Sequence, residues 1–365
     1  MHPTRRRPSV PGLRNRRLRI SGGVLALAVT AGVAVVSSHS AVGEAPEVLD
    51  SYRDQRIAES AAITGSENAV VSDAKAPIGE GKRLDGPTPG QSTKITLHSG
   101  DRDRTAILSV PDDYYPNTPT PVLFAYPGYN QTAEDMQRFA SLDHLPAIVV
   151  YMQGVGDAWE GAPYAKTSDG EDLRFTTDML AAVNSTYNVD ASRIYATGMS
   201  NGGGFAAKLA CRAPEIFAAT ASVSGAYYPG TGGNCENPST SFLDIHGVQD
   251  ETIEYDGGNR HGASYQPARE RAEAVAARNN CSPDPVSTAL AGDVRRVQWP
   301  MCGNGRDVVH LRVGDGGHTW PGDSTGTSGE AERGAASDTA EATSYSLDAT
   351  TEVWAFVSSH RLAGR

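Results

Sequence analysis

Several common features are missing from this 365-residue sequence, and each absence removes a class of function. Neither a C-x-x-C nor an H-E-x-x-H pattern occurs, so we expect no bound metal and no cofactor. No internal repeat or low-complexity domain is present, which argues against a repeat array. The 32 lysines and arginines are outnumbered by 43 aspartates and glutamates, so we expect no electrostatic binding to nucleic acid.

The sequence also lacks an apolar run long enough for a membrane-spanning helix, although a shorter run lies near its start. Residues 1–20 carry seven arginines and no acid, and the apolar run Val24–Val36 follows. This layout is typical of an export signal, which we place at residues 1–41. The Arg16-Arg17 pair leaves the twin-arginine and Sec routes open. An uncleaved single-pass anchor is the alternative.

Cleavage of such a signal would leave an acidic protein with no membrane attachment. It would remove seven positive charges and change the formal net charge from −11 to −18. Residues 42–91 contain Gly86-Pro87-Thr88-Pro89-Gly90 and little apolar periodicity, which predicts a flexible linker. Residues 92–365 are enough for one α/β catalytic domain of roughly 270 residues.

Cysteine is scarce, with Cys211, Cys235, Cys281 and Cys302 making up the whole set. Four cysteines allow three pairings. We favour Cys211 with Cys235 and Cys281 with Cys302, because each bond closes a short loop and would stabilise the fold by about 3 kcal/mol in the chain-entropy model. Disulfides are expected in an exported protein, and buried free thiols are the alternative.

The apolar pattern of the remaining chain alternates between short strands and helices. Continuous apolar strands separated by helices predict an α/β fold with a mostly parallel sheet covered on both faces. The stretch Asp323–Thr343 is rich in Ser, Thr, Gly, Glu and Ala, which predicts a surface loop. The predicted strands are 105–110, 122–125, 147–151, 193–197, 218–223, 241–246 and 308–313, and the predicted helices are 175–187, 203–210, 268–279 and 350–362.

A G-x-S-x-G pentad at residues 198–202 places Ser200 between a predicted strand and a predicted helix. This context is typical of the nucleophile elbow of an α/β-hydrolase, where glycines avoid clashes in a tight turn. The turn would expose Ser200 Oγ and leave the Asn201 N–H, at the helix N-terminus, to bind an oxyanion. The alternative is a serine in an ordinary glycine-rich turn.

The partners of such a serine follow in the order acid and then histidine, each on a loop after a strand. Asp250 lies just beyond the predicted strand 241–246, and His318 follows the predicted strand 308–313. Asp244, Glu251 and Asp256 compete with Asp250 for the acid position. The other histidines are less suitable, because His310 lies within a strand, His261 in a polar loop, and His246 before the acid.

These three residue types fit one chemistry. A serine hydroxyl becomes a good nucleophile when an imidazole takes its proton, and a carboxylate orients that imidazole and stabilises its charged form. A second oxyanion donor is needed from the loop after the strand 122–125. We assign it to the N–H of Tyr129.

Together these segments resemble the secreted polyhydroxybutyrate depolymerase and feruloyl esterase group of α/β-hydrolases. The resemblance covers residues 93–361, and its most specific part is His318-Thr319-Trp320-Pro321-Gly322. The stretches 150–154 and 159–164 are similar to the feruloyl esterase branch. The resemblance implies catalytic roles for Ser200, Asp250 and His318, and paired cysteines fit the group. The chain departs from the family in having Pro127-Gly128 where His-Gly is usual.

The resemblance implies a secreted serine carboxylic-ester hydrolase. Within this class it favours a feruloyl esterase that acts on plant cell-wall xylan. Trp159 and Trp320 are candidate walls for an aromatic acid or a sugar, and packing of their own loops is the alternative role. Polyhydroxybutyrate depolymerase and acetyl xylan esterase are alternatives of the same chemistry. An inactive hydrolase fold that binds carbohydrate is an alternative of another class. We expect a monomer whose partner is an ester on a polysaccharide or polyester.

Overall fold

The computed structural model describes residues 78–79, 81–232, 235, 239–329 and 341–362. The predicted export signal and most of the predicted linker lie outside these residues. Among the residues described, no helix combines the length and the apolar character needed to cross a bilayer.

A ten-stranded sheet forms the centre of the described structure, with the strand order β1-β2-β4-β3-β5-β6-β7-β12-β11-β10. The strands β4, β3, β5, β6, β7 and β12 run parallel, and antiparallel strands complete each edge. A two-stranded ribbon, β8 with β9, lies apart from it. Their bounds are β1 Ser92–Ser99, β2 Arg102–Ser109, β3 Thr120–Tyr126, β4 Ile148–Met152, β5 Val189–Met199, β6 Ala219–Val223, β7 Ser241–Gly247, β8 Gly258–Arg260, β9 Ala263–Tyr265, β10 Val286–Ala289, β11 Val294–Trp299 and β12 Val308–Val313.

Helices cover both faces of this sheet. The helices α1 and α5 pack on one face, and α2, α3 and α4 pack on the other. The fold is therefore the predicted α/β arrangement with a mostly parallel sheet. The helix bounds are α1 Ala133–Ala140, α2 Glu171–Thr186, α3 Asn201–Arg212, α4 Ala268–Arg278 and α5 Ala349–Ser358, and single turns of 3₁₀ helix occur at Leu142–His144, Pro229–Thr231 and Gly303–Gly305.

The apolar strands are continuous because their alternate side chains enter two different cores. In β3, Leu123 and Ala125 pack with α1 and α5, whereas Val122 and Phe124 pack with α2 and α3. Every residue of β3 is buried. Burial on both faces is the usual reason for strands without polar alternation.

Some elements were missed by the sequence interpretation. Strand β1 alternates exposed and buried residues at the sheet edge, and β10 is exposed along its length, so neither has a continuous apolar run. Helix α1 had a readable signal: Thr132 and Asp135 form a capping box at its start.

The predicted linker 42–91 requires a correction at its end. The N–H of Gly81 donates to Ser185 Oγ, and the N–H of Leu84 donates to Thr186 Oγ1, both at 2.9 Å. Leu84 also packs partly against the core, and Tyr187 donates from its hydroxyl to the Pro87 carbonyl. Residues 81–87 therefore lie along the C-terminal end of α2, and residues 90–91 pair with Val110 after β2, so this segment belongs to the domain surface.

The predicted surface loop Asp323–Thr343 is also wrong in part. Asp323 and Ser328 are buried, and Asp323 accepts from the N–H of Ser328 at 2.9 Å. Ser328 in turn accepts from the N–H of Trp320. Small polar side chains can be buried here because they satisfy nearby backbone donors. Residues 330–340 lie outside the described residues.

Both favoured disulfides are present, joining Cys211 to Cys235 and Cys281 to Cys302 across 24 and 21 residues of sequence. The first connects the end of α3 to the segment before β7. The second connects the end of α4 to the segment between β11 and β12. The helices α3 and α4 lie on the same face of the sheet, and each disulfide joins one of them to a neighbouring loop.

Replacing Cys281 and Cys302 together by serine should lower the free energy of unfolding by about 3 kcal/mol, because the cross-link restricts the unfolded chain. Urea denaturation without reductant measures this change. The control is Ser282→Ala, which removes no cross-link and should stay within about 0.5 kcal/mol of the parent. An unchanged unfolding midpoint in the double variant would show that this bond does not stabilise the fold.

Candidate active site

The ends of three strands, β5, β7 and β12, bring the predicted site residues to one edge of the sheet. Ser200 follows β5, Asp250 lies three residues after β7, and His318 lies on the loop after β12. Strands β5, β6, β7 and β12 are adjacent and parallel, so their carboxyl ends point the same way. Ligand sites in open α/β sheets lie at these carboxyl ends.

The turn at Ser200 has the tight geometry expected of an elbow. Ser200 has φ 52° and ψ −117°, a sparsely populated backbone region for a residue with a side chain. A Cβ at Gly198 would overlap the backbone of Gly202, and one at Gly202 would overlap the carbonyl oxygen of Tyr126. Glycine is required at both positions because the backbones approach so closely. The N–H of Ser200 bonds to Val223 on β6, which fixes the turn.

Asp250 and His318 form a buried pair. The Nδ1 of His318 donates to Oδ2 of Asp250 at 2.7 Å, and both side chains are at most 2% exposed. The other carboxylate oxygen accepts from the N–H groups of Thr252 and Ile253. Because the proton in this hydrogen bond is on Nδ1, the neutral ring has Nε2 as its basic nitrogen.

Asp250 remains charged although it is buried. Burial alone would raise the pKa of this carboxyl, but the charge and hydrogen bond of His318 and the contact with His246 lower it well below its usual range. His246 Nε2 lies 3.3 Å from Asp250 Oδ2 and donates to the carbonyl of Ile253. His246, which precedes the acid in sequence, therefore lies against the carboxylate of Asp250 and stabilises its charge.

One competing pair, Asp244 and His310, lies apart from Asp250 and His318. Asp244 accepts from His310 Nδ1 at 2.6 Å, and both are fully buried inside the sheet. Tyr227 also donates to Asp244, and Tyr255 donates to His310 Nε2. This network satisfies polar groups in the core and is separate from the Asp250–His318 pair.

The loop after β3 lies directly against the elbow. Tyr126 pairs with Gly198 in neighbouring strands, and Gly202 touches the carbonyls of Tyr126 and Pro127. The loop is held by its own polar groups: Gly128 donates its N–H to Gln131 Oε1 at 2.7 Å. The structure thus brings the backbone segments of Tyr129 and Asn201 to the same edge. The sequence interpretation missed the role of Gln131.

Trp159 is not a substrate wall, because its side chain has no exposed surface. Its indole N–H donates to the Pro127 carbonyl at 2.8 Å, and its backbone N–H donates to Asn201 Oδ1. The ring stacks on Phe205 of α3 and meets Tyr126 edge-on. Trp159 instead connects the loop after β3 to the first turn of α3.

Trp320 is not a wall either, because it is 1% exposed. Its indole N–H donates to Thr350 Oγ1 at 3.0 Å, and the ring packs near Phe139 of α1. Both tryptophans follow motifs that point to a site, but local sequence does not reveal which face of a loop is covered. Packing of their own loops, the alternative role, is the one observed.

Aromatic rings with exposed surface do occur at the loop after β3, supplied by Tyr129, Tyr164 and His261. Tyr129 and Tyr164 stack with ring centroids 4.0 Å apart, and the His261 ring meets both edge-on. The ring of Tyr164 also meets that of Tyr228 edge-on, and Tyr228 is buried. We name Tyr129, Tyr164 and His261 the tyrosine–histidine cluster. The sequence places Tyr164 and His261 almost 100 residues apart, so no local pattern predicted it.

Within the ranges that the structure describes, no three His, Cys, Asp or Glu side chains are arranged to hold a metal ion.

Asp250→Asn should destabilise the fold in a pH-dependent way. Because the folded-state pKa of Asp250 is lowered, its contribution is present above the unfolded pKa of about 3.9 and is lost as pH falls through the folded value. The difference in unfolding free energy between parent and variant should be full at pH 6 and narrow below about pH 4. Urea titrations from pH 6 to pH 2.5 measure it, with the exposed Asp113→Asn as control. An equal difference at both ends would contradict the charged, stabilising carboxylate.

The chain is similar to several known esterases. "Probable feruloyl esterase C" of Aspergillus niger is 28% identical over 246 residues, covering 63% of this chain and 83% of that protein. "Feruloyl esterase D" of Neurospora crassa is 26% identical over 241 residues, covering 61% and 77%. Among solved structures, an acetyl xylan esterase from Aspergillus awamori matches 63% of this chain and 94% of its own at 16% identity, with a TM-score of 0.47.

A family model also matches the central part of this chain. The esterase family described as "Putative esterase" matches residues 98–287, which is more than half of the chain and runs from the end of β1 to β10. The matched region contains the elbow at Ser200 and the loop that carries Asp250. The chain belongs to this esterase family.

Proposed function

We propose that the protein is a secreted serine esterase whose substrate is a feruloyl ester of plant cell-wall xylan and which works through an acyl-enzyme. The observation that carries the proposal is the buried Asp250–His318 hydrogen bond, on loops beside the strained Ser200 turn. Nucleophile, acid and histidine follow in the chain order of α/β-hydrolases. The named feruloyl esterases among the relatives support the substrate class.

In the proposed reaction, Ser200 Oγ attacks the ester carbonyl while Nε2 of His318 takes the hydroxyl proton. Asp250 holds the protonated ring through Nδ1 and stabilises its charge. The tetrahedral intermediate collapses as the ester C–O bond breaks, and His318 returns the proton to the leaving alkoxide. Water then attacks the acyl-enzyme by the same proton path, releasing the acid and restoring Ser200.

The developing oxyanion would be bound by the N–H groups of Tyr129 and Asn201. The Asn201 N–H lies at the N-terminus of α3, where the helix dipole favours negative charge. The loop of Tyr129 is held against that turn by the indole of Trp159 and by Gln131. Rigid donors of this kind need little reorganisation during the reaction, which is why they lower the barrier.

An aromatic acyl group is favoured by the tyrosine–histidine cluster. Tyr129 belongs to the proposed oxyanion loop and its ring stacks on that of Tyr164, so both rings would lie near the reacting ester. Aromatic rings pair in offset or edge-on arrangements worth about 0.5–1.5 kcal/mol each. A hydroxycinnamoyl ring could add to this stack, whereas an acetyl group offers nothing for it to bind.

Export and domain organisation complete the proposal. Residues 1–41 would act as the signal peptide and the following residues as a linker, leaving a monomeric catalytic domain that acts outside the cell. The two disulfides support this location, because such bonds persist in oxidising surroundings.

Ser200→Ala should reduce methyl ferulate hydrolysis by at least roughly 10³-fold, because it removes the attacking oxygen. Full activity of the serine variant would refute the mechanism.

The parent should also be assayed on acetylated xylan, p-nitrophenyl acetate and polyhydroxybutyrate. Clearing of polyhydroxybutyrate without release of ferulate from arabinoxylan would decide for the depolymerase, and preferred deacetylation would decide for an acetyl xylan esterase. Xylan binding without turnover of any ester would favour the inactive binding fold.

Tyr164→Ala should raise KM for methyl ferulate by up to about 10-fold and change that for p-nitrophenyl acetate by less than about 2-fold, since one ring contact is lost. Tyr164→Phe keeps the ring and should resemble the parent. Tyr115→Ala is the control, because that tyrosine is 65% exposed on the loop before β3, at the other end of the strand. Equal losses on both esters would argue against an acyl-ring site.

A further inference from the structure

Glu341 joins the two loops that carry Asp250 and His318. One oxygen of its carboxylate, Oε2, accepts from the backbone N–H of His318 and, at 3.3 Å, from that of Glu251. The other, Oε1, accepts from the Thr252 hydroxyl at 2.6 Å. A single carboxylate therefore holds both residues that follow Asp250 and the backbone of the histidine itself.

The backbone around Glu341 strengthens this connection. Gly317 donates its N–H to the carbonyl of Ala342 at 2.9 Å, so the two segments also pair directly. A Cβ on Gly317 would lie 2.8 Å from both Cβ and Oε2 of Glu341, so the glycine leaves space for the carboxylate. The sequence interpretation placed residue 341 in a surface loop, and nothing in its local composition indicates a role at the site.

The geometry explains why such a brace matters. Asp250 and His318 belong to loops after different strands, β7 and β12, and their 2.7 Å hydrogen bond depends on the separation of those loops. Thr252 also donates its N–H to Asp250 Oδ1. The hydrogen bond from the Thr252 hydroxyl to Glu341 therefore fixes a residue that itself binds the catalytic carboxylate. Hydrogen bonds to a carboxylate are about twice as strong as neutral ones.

We propose that Glu341 is a positioning residue of the esterase, which sets the approach of His318 to Asp250 by bracing both loops. The inference rests on the proposed catalytic roles of Ser200, Asp250 and His318. The contacts of Glu341 described above are with backbone N–H groups and the Thr252 hydroxyl, so it acts through these residues. Its loss should slow the chemical step and leave substrate binding unchanged.

Glu341→Ala should lower kcat for p-nitrophenyl acetate by roughly 10- to 100-fold with KM within about 2-fold, because a small misplacement of the catalytic groups is costly. Glu341→Gln keeps one accepting oxygen and should recover part of this loss. Glu215→Ala, at an exposed position after α3, is the control for removing an acid. Thermal unfolding of each variant separates a loss of rate from a loss of folded protein.

Thr252→Val tests the same brace from its other end, since it removes the hydroxyl and keeps the shape. It should lower kcat by a smaller factor, and Thr252→Ser should lose less than valine. The double variant with Glu341→Ala should be no slower than Glu341→Ala alone, because both changes remove the same hydrogen bond between Thr252 and Glu341. Independent, multiplying losses would overturn the brace, and so would a folded Glu341→Ala variant with the parent's kcat.

The two levels of the proposal fail differently. If Ser200→Ala keeps the parent's rate on p-nitrophenyl acetate, the serine mechanism is wrong and Glu341 has no catalytic pair to position. If Ser200→Ala is inactive and Glu341→Ala has the parent's kcat, the mechanism stands and the brace alone is refuted.

Discussion

The close approach of the first turn of α3 to the end of β3 is the constraint on which the rest of the site depends. Gly202 contacts the carbonyl of Tyr126, and Gly198 contacts the backbone of Gly202, so no side chain fits at either position. This contact forces the unusual backbone angles of Ser200 and places the loop of Tyr129 beside the helix N-terminus. The strain is small compared with the burial of the surrounding strands and helices, which together impose it.

A buried charge is the second element of the design, and it is stabilised by many partners. Asp250 accepts from His318 and from two backbone N–H groups, with His246 lying beneath it. A carboxylate taken out of water without such donors would become protonated, and it could then no longer stabilise an imidazolium. The same hydrogen bonds that keep the charge also fix the tautomer of His318. Electrostatics and geometry are therefore supplied by one set of contacts.

The sequence predicted those parts of the molecule that depend on local pattern. Continuous apolar runs identified the central parallel strands, and the pentad around Ser200 identified the turn, because both follow from backbone sterics and burial over a few residues. Trp159 and Trp320 were misassigned because burial depends on neighbours distant in sequence, such as Phe205 and Thr350. Glu341 escaped notice for the same reason: its partners are about 90 residues away on the Asp250 loop.

The Pro127-Gly128 pair, where the resemblance led us to expect His-Gly, can be understood from the contacts that hold this loop. Proline has no N–H to donate, so the loop relies on the Pro127 carbonyl, which accepts from Trp159, and on Gly128, which donates to Gln131. Gln131 also donates to the carbonyl of Ser328, and Ser328 accepts from Trp320, two residues beyond His318. The loop after β3 is thus connected to the histidine loop by a chain of buried hydrogen bonds. In this chain an amide and an indole therefore supply the restraint on the loop.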